Sequence, residues 1–126
     1  MGNTQCKGFS ASGVISGLKK NGKNDLGLIY SEIPANAAGV FTKNKVQAAP
    51  VLLDRQRIKE GFCQAVIVNS GSANCCTGDR GMKDAISETR FAASALKIPE
   101  KLVLAASTGV IGKPLELDKI ERAVPD

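Results

Sequence analysis

The chain has 126 residues, a formal net charge of +5, and 43% hydrophobic residues with no Trp and no His. This length suits one small domain, residues 1–126, that buries a core without metals or disulfides. Lys and Arg are scattered among Asp and Glu without a basic stripe or interleaved aromatics, which argues against a nucleic-acid partner. Without histidine, the chain cannot complete a Ser-His-Asp or Cys-His catalytic arrangement by itself.

The first 46 residues predict short antiparallel strands joined by tight turns. Glycines separate short apolar pieces, which indicates an extended segment from Phe9 to Ile15 and a turn over residues 20–22. A strand is expected over Leu26–Tyr30. After a loop that contains Pro34, a second strand is expected over Gly39–Thr42.

A helix is predicted to begin at Pro50, because proline suits the first position of a helix. Val51, Arg55 and Ile58 fall on one face of this helix, and Gly61 is a typical C-terminal stop.

The second half of the chain repeats the order buried strand, polar loop, helix. The strands are expected near residues 64–68 and 101–107, and the intervening helix over residues 80–97. Apolar or small residues recur along one side of that helix at helical spacing: Ala85, Ile86, Thr89, Ala92, Ala93 and Leu96. Pro99 marks its end, and a last helix is expected from Pro114 through Val124. Fully apolar strands alternating with helices predict a layered α/β fold.

The four cysteines do not have the spacing of a metal site. Cys6 and Cys63 are isolated and Cys75 and Cys76 are adjacent, so no C-x-x-C pair exists and a zinc site is not expected. The adjacent pair could form a strained vicinal disulfide, but two reduced thiols are the simpler expectation. No signal peptide or membrane-spanning segment is visible, and we expect a cytoplasmic protein without a membrane partner.

The segment V-I-V-N-S-G-S-A-N-C-C-T-G, residues 66–78, contains two glycines among Asn, Ser and Thr. Such a segment can direct several backbone N–H groups at an anion, although it matches neither a Walker loop nor a dinucleotide fingerprint. The alternative is that Asn69 and Asn74 satisfy the backbone of the loop while Asp79 caps the next helix.

A second polar segment, Ser107-Thr108-Gly109, ends the predicted strand near residue 106. It could be an ordinary turn. It could also form an oxyanion hole, because a glycine N–H beside a hydroxyl can stabilise the negative oxygen of a tetrahedral intermediate.

Four collinear motifs add to this residue-level interpretation. They are K-G-F-x-A-x-G-V (Lys7–Val14), A-G-V-F-T-x-N-x-V-x-A-A-P-V (Ala38–Val51), V-N-S-G-x-A-N-x-C-T-G (Val68–Gly78) and S-T-G-x-I-G (Ser107–Gly112). Together they resemble the bifunctional ornithine acetyltransferase / N-acetylglutamate synthase family of arginine biosynthesis, and they run through almost the entire chain.

The resemblance implies an α/β fold of mixed α+β type, a layered αββα-type sandwich of the DmpA/ArgJ-like kind that is incomplete in this chain. It also implies acetyl transfer from N-acetylornithine to glutamate through an acetyl-threonine intermediate, with acetyl-CoA as a donor in some members and no cofactor. In the family the precursor cleaves itself, and the nucleophilic threonine becomes the N-terminus of the β chain, where its amine can serve as the base.

By this resemblance the chain is the amino-terminal part of the α chain and supplies Thr108 and Gly109 as the oxyanion hole. Its expected partners are the rest of the α chain and the β chain in an αβ heterotetramer, and the isolated chain is expected to be inactive. The residues alone leave two other classes open, a phosphate- or nucleotide-binding α/β module and a non-catalytic structural domain.

Overall fold

The fold consists of a mixed β-sheet and three helices in a computed structural model that describes residues 2–3 and 6–126. In these residues the strands are β1 (Gly2–Asn3), β2 (Phe9–Val14), β3 (Leu26–Asn36), β4 (Phe62–Ser72) and β5 (Val103–Val110). The helices are α1 (Ala49–Arg57), α2 (Gly78–Leu96) and α3 (Leu117–Ala123), and short 3₁₀ turns cover Ile58–Glu60 and Glu100–Leu102. The α/β fold class predicted from the sequence is confirmed.

The strands follow one another across the sheet in chain order, β1-β2-β3-β4-β5. The pairs β1–β2, β2–β3 and β3–β4 are antiparallel, whereas β5 runs parallel to β4. A parallel pair needs a long crossover, which α2 supplies. The register between β3 and β4 shifts between Tyr30 and Ala35, a stretch that contains Pro34, which has no N–H to donate to a ladder.

The core lies between one face of the sheet and the helices. Ile67 of β4 and Val103 of β5 are buried against Ala92 of α2 and Ile120 of α3. The side chains of neighbouring positions point to the opposite face, where Ile29 is 47% exposed. The described residues therefore form one helix layer and one sheet layer, with apolar side chains on the uncovered face of the sheet.

The connection between β2 and β3 is organised by the buried carboxylate of Asp25. It accepts hydrogen bonds from the backbone N–H of Ser16 (2.6 Å), the Ser16 hydroxyl (2.8 Å) and the backbone N–H of Lys19 (2.8 Å). Burial acts to raise the pKa of Asp25, but these hydrogen bonds outweigh it and hold the pKa below its ordinary value. The turn predicted over residues 20–22 lies in this connection.

The strand predicted over Gly39–Thr42 is wrong, because residues 37–48 contain no helix or strand. Instead of pairing with the sheet, this segment is attached to α1. The Arg55 guanidinium donates to the Thr42 carbonyl (3.0 Å) and lies over the Phe41 ring, 5.4 Å from its centroid. The predicted strand had the right apolar residues but no strand beside it to complete its hydrogen bonds.

The helix predicted to begin at Pro50 is present as α1, with Pro50 in its first turn. Its buried residues are Ala49, Pro50 and Leu53, and Ala49 and Leu53 pack against Ala85 of α2.

Other helix predictions are confirmed within a few residues. The helical segment that begins with α1 does end at Gly61, which adopts a left-handed conformation after the 3₁₀ turn. The predicted buried stripe of α2 is confirmed at Ala85, Thr89 and Ala92. The last helix starts at Leu117 rather than Pro114.

Candidate active site at the polar ends of the parallel strands

The two polar segments identified in the sequence are neighbouring strand ends. Residues 69–71 of β4 pair in parallel register with residues 107–109 of β5. The loops predicted to follow the strands begin later than expected, because residues 69–72 belong to β4 and residues 107–110 belong to β5, while residues 73–77 do form a loop. Polar side chains and glycine do not prevent the backbone ladder from continuing, since the ladder uses only N–H and C=O groups. The sheet therefore brings Asn69 directly beside Ser107 and extends one residue beyond Gly109.

Thr108 is exposed and lies on the face of the sheet opposite the helices. Its neighbour Ser107 points toward the helices, where its hydroxyl contacts α2, and side chains alternate along a strand. The Thr108 hydroxyl donates to the backbone carbonyl of Asn69 (3.2 Å). To donate to a ligand, this hydroxyl must turn away from that carbonyl.

Side chains of α1 occupy the beginning of the outer edge of β5. Asp54 accepts a hydrogen bond from the Ala105 N–H (3.0 Å), and Arg57 donates to the Val103 carbonyl (2.6 Å) while pairing with Glu100 (2.8 Å). Burial raises the pKa of Asp54 to about 6, although the Ala105 N–H and the Arg57 charge act in the opposite direction. The outward direction of the Ala105 N–H fixes the direction of the later N–H groups of the strand.

Gly109 lies two residues after Ser107 and four after Ala105. Because strand N–H groups alternate between the two edges, the Gly109 N–H also points to the outer edge, beyond the α1 side chains. Gly109 has a φ of +129°, and a Cβ there would lie 2.4 Å from the carbonyl carbon of Gly71. Glycine is thus required by the close approach of two backbones, a reason that sequence reasoning missed when it considered only the accessible N–H.

A buried polar cluster lies beneath these strand ends, on the helix side. Asn69 Nδ2 is 3.2 Å from Ser107 Oγ and 3.4 Å from Glu88 Oε2, and Ser107 Oγ is 3.4 Å from Glu88 Oε1. Glu88 and Asn69 are completely buried. Sequence reasoning missed Glu88. The available signal was its spacing, three residues after Ala85 and four before Ala92, which places a charged residue on the apolar stripe of α2.

The environment of Glu88 disfavours its ionised form. Burial raises its pKa to about 8, against the effect of the hydrogen bonds from Asn69 and Ser107. The negative charges of Asp54 and Asp84 raise the pKa further. At neutral pH the Glu88 side chain is therefore mainly a neutral carboxylic acid, able to donate as well as accept a hydrogen bond.

Side chains of the loop between β4 and α2 hydrogen-bond within the protein. Asn74 is completely buried; its Nδ2 donates to the Gly81 carbonyl (2.8 Å), and its Oδ1 accepts from Thr77 (2.8 Å). Ser72 donates to the Lys113 carbonyl (2.6 Å). Asn74 thus bonds within the protein, in line with the alternative that it satisfies this segment. The same prediction is wrong for Asn69, whose side chain bonds to Glu88 and Ser107 instead of the loop backbone. The prediction that Asp79 caps α2 is wrong, because the helix starts after Thr77 without a side-chain cap.

The adjacent thiols Cys75 and Cys76 are not joined, since their sulfurs lie 3.9 Å apart. Within the described residues, no group of three or more His, Cys, Asp or Glu side chains is placed to hold a metal ion. None of the helices in that part of the chain combines the length and hydropathy needed to cross a membrane.

Comparison with known proteins identifies the family. A sequence model of the ArgJ family matches residues 10–126. The chain belongs to the ArgJ family. This confirms the resemblance drawn from the four motifs. Similar relatives include the arginine biosynthesis bifunctional proteins ArgJ of Syntrophotalea carbinolica, 56% identical over 118 residues, and of Geobacter sulfurreducens, 53% identical over 119 residues. Each match covers 94% of this chain and 30% of the relative.

Two solved structures have the same fold over the matched region. The arginine biosynthesis bifunctional protein ArgJ of Bacillus halodurans superposes with a TM-score of 0.90 at 48% identity, covering 94% of this chain and 62% of that one. The ornithine acetyltransferase of Mycobacterium tuberculosis, solved in complex with ornithine, gives 0.91 at 43% identity, covering 94% and 65%. This chain thus spans about 30% of the length of the curated relatives it matches.

Proposed function

We propose that this chain forms part of an enzyme that transfers an acetyl group from N-acetylornithine to glutamate, and that it supplies the oxyanion hole. The observation that carries the proposal is the pairing of residues 69–71 with 107–109. That pairing places the Thr108 hydroxyl on the uncovered face and the Gly109 N–H at the outer edge of the sheet. Membership of a family with arginine-biosynthesis ArgJ proteins supports the reaction.

In this mechanism, a threonine on another chain attacks the acetyl carbonyl of N-acetylornithine. The carbonyl oxygen becomes negative in the tetrahedral intermediate, and the Thr108 hydroxyl and the Gly109 N–H each donate a hydrogen bond to it. Collapse of the intermediate breaks the bond to the ornithine amine, which leaves with a proton. The amino group of glutamate then attacks the acetyl-threonine ester through a second tetrahedral intermediate at the same donors. Collapse of this intermediate breaks the C–O bond to the threonine oxygen, which takes up a proton from the amine, and releases N-acetylglutamate.

The remaining parts of the enzyme lie outside this chain in the proposal. The nucleophilic threonine, with its own N-terminal amine as the base, belongs to a β chain, and the rest of the α chain completes the substrate site in an αβ heterotetramer. A base of this kind suits a chain without histidine. Acetyl-CoA is a second candidate donor, and no cofactor is required. The unlinked thiols of Cys75 and Cys76 suit a reducing cytoplasm.

The proposal is tested in the full-length precursor that carries this sequence, by following acetyl transfer from labelled N-acetylornithine to glutamate. The precursor is expected to turn over, and the 126-residue chain alone is not. Thr108→Val, which removes the hydroxyl at constant size, should lower kcat by about 10²–10³ with little change in KM. Thr108→Ser retains the hydroxyl and is the matched control, expected to keep most of the activity.

Two results would contradict the proposal. An inactive precursor that nevertheless folds and cleaves itself would remove acetyl transfer as the function. An unchanged kcat in Thr108→Val would remove Thr108 from the oxyanion hole while leaving the reaction in place.

A further inference from the structure

Glu88 lies beneath the candidate oxyanion hole without contributing to its surface. It is in the middle of α2, is completely buried, and directs both carboxyl oxygens at β4 and β5. One oxygen meets Asn69 Nδ2 and the other meets the Ser107 hydroxyl, both at 3.4 Å. A buried carboxyl group away from any cation costs free energy, so apolar packing alone does not account for it.

Both hydrogen-bond partners of Glu88 are directly connected to Thr108, Asn69 by a hydrogen bond and Ser107 by the peptide bond. The backbone carbonyl of Asn69 accepts the Thr108 hydroxyl hydrogen bond (3.2 Å). Ser107 precedes Thr108 in the chain, and its hydroxyl accepts a hydrogen bond from Asn69 Nδ2 (3.2 Å). A displacement of either partner therefore changes where the Thr108 hydroxyl and the Gly109 N–H lie.

We propose that Glu88 is a positioning residue for acyl transfer, which fixes residues 107–109 through its hydrogen bonds to Asn69 and Ser107. This inference rests on the proposed function of Thr108 and Gly109. Glu88 itself touches no substrate in this arrangement. Its contribution is to fix the backbone of residues 107–109, which carries the two donors, because small displacements of such donors are costly to the rate.

Burial and the neighbouring charges favour the neutral form of Glu88. The charged groups that act on Glu88 are the carboxylates of Asp54 on α1 and Asp84 on α2, and both oppose its ionisation. Asn69 Oδ1 is already a buried acceptor without a hydrogen-bond donor. Ionisation would place a charge in a fully buried cluster and strengthen the pull of the carboxylate on its two donors, Asn69 Nδ2 and the Ser107 hydroxyl. We expect the geometry of residues 107–109 to relax when Glu88 loses its proton.

The test compares Glu88→Gln, Glu88→Met and the unmodified full-length precursor in the acetyl-transfer assay. Glutamine is neutral at every pH and close in shape, so Glu88→Gln should keep kcat within about threefold near neutral pH. The ratio of wild-type to Glu88→Gln kcat should fall at least about threefold as the pH rises from neutral to about 9.5, because only the wild type ionises. Glu88→Met fills the space without hydrogen bonds and should lower kcat at least about tenfold with KM within about twofold.

Thr89→Val is the matched control. Thr89 is equally buried on the same helix, but its hydroxyl bonds only to the Ala85 and Ile86 carbonyls of α2. This variant disturbs the buried face of α2 without removing a hydrogen bond to β4 or β5, so its kcat should stay within about twofold of the wild type.

Circular dichroism at the assay temperature verifies that each variant is folded. A constant ratio of wild-type to Glu88→Gln kcat across the pH range would overturn the proposal, and so would a folded Glu88→Met enzyme with unchanged kcat. If Glu88→Met does not fold, the pH ratio alone decides. A wild-type precursor without acetyl transfer would instead overturn the proposed function, which keeps the two failures distinguishable.

Discussion

Replacing Gly109 by alanine tests whether the two strand ends must approach as closely as they do. An added Cβ would lie 2.4 Å from the Gly71 carbonyl carbon, 2.7 Å from its oxygen and 2.7 Å from the Ser72 nitrogen. All three are backbone atoms, which no rotamer change can move away. The residue would also be an alanine with a φ of +129°, a conformation that side-chain-bearing residues rarely adopt.

The destabilisation has two sources that can be estimated separately. Holding a non-glycine residue in that backbone region costs about 1–3 kcal/mol, and overpacking against fixed atoms costs about 1–3 kcal/mol more. Because three contacts are below 3.0 Å, we expect the upper part of the summed range, about 4–6 kcal/mol. Gly112→Ala is the matched control: its φ is +78° but no atom lies within 4 Å of the added Cβ. It should cost about 1–2 kcal/mol.

The assay is thermal unfolding of both variants followed by circular dichroism under identical conditions. The midpoint of Gly109→Ala should lie about 10 °C or more below that of Gly112→Ala. Equal midpoints would refute the reasoning, because they would mean that the strands separate at little cost. Glycine at position 109 would then be explained by the accessible N–H alone.

Two further changes test the buried polar contacts by urea unfolding. Asp25→Asn places an amide nitrogen against backbone N–H donors and should lower the free energy of unfolding by about 2–3 kcal/mol. Because the folded pKa of Asp25 is lowered, this difference in stability from the wild type should be present above about pH 4 and disappear as the pH falls through the folded pKa. A difference that does not change with pH would contradict the reasoning. Arg57→Met loses its bonds to Val103 and Glu100 and should cost about 1–3 kcal/mol, against less than about 0.5 kcal/mol for Arg122→Met, whose ion pair is exposed. Equal effects of the two arginine changes would show that the edge contact adds nothing.

The sequence predicted the elements whose side chains carry the signal. The stripe through Ala85 and Ala92 identified α2, and the apolar runs located the first parts of β4 and β5. The polar ends of those strands were not predicted, because their pairing depends on backbone groups that every residue shares. Gly39–Thr42 failed for the opposite reason, since a strand-like composition forms no strand without a neighbour.

The site was only partly accessible from sequence. Thr108 and Gly109 were identified by resemblance and by the chemistry of a hydroxyl beside a glycine. That assignment stays a prediction until the variants are measured. Glu88 could not be connected with them, because it is 19 residues away from both Asn69 and Ser107 along the chain and meets them only after α2 packs on the sheet. The reason for Gly109 likewise needed the position of Gly71.

The Asp54 and Arg57 side chains affect how copies of this molecule can associate through the edge of the sheet. An edge strand with unsatisfied backbone groups is a template for strand addition and for aggregation. In this molecule a carboxylate and a guanidinium take the positions at Ala105 and Val103 that an incoming strand would use. Intermolecular β-pairing is therefore blocked over the first part of β5. The α1 helix thus protects the first part of this edge and leaves the Gly109 N–H, which lies beyond its side chains, accessible.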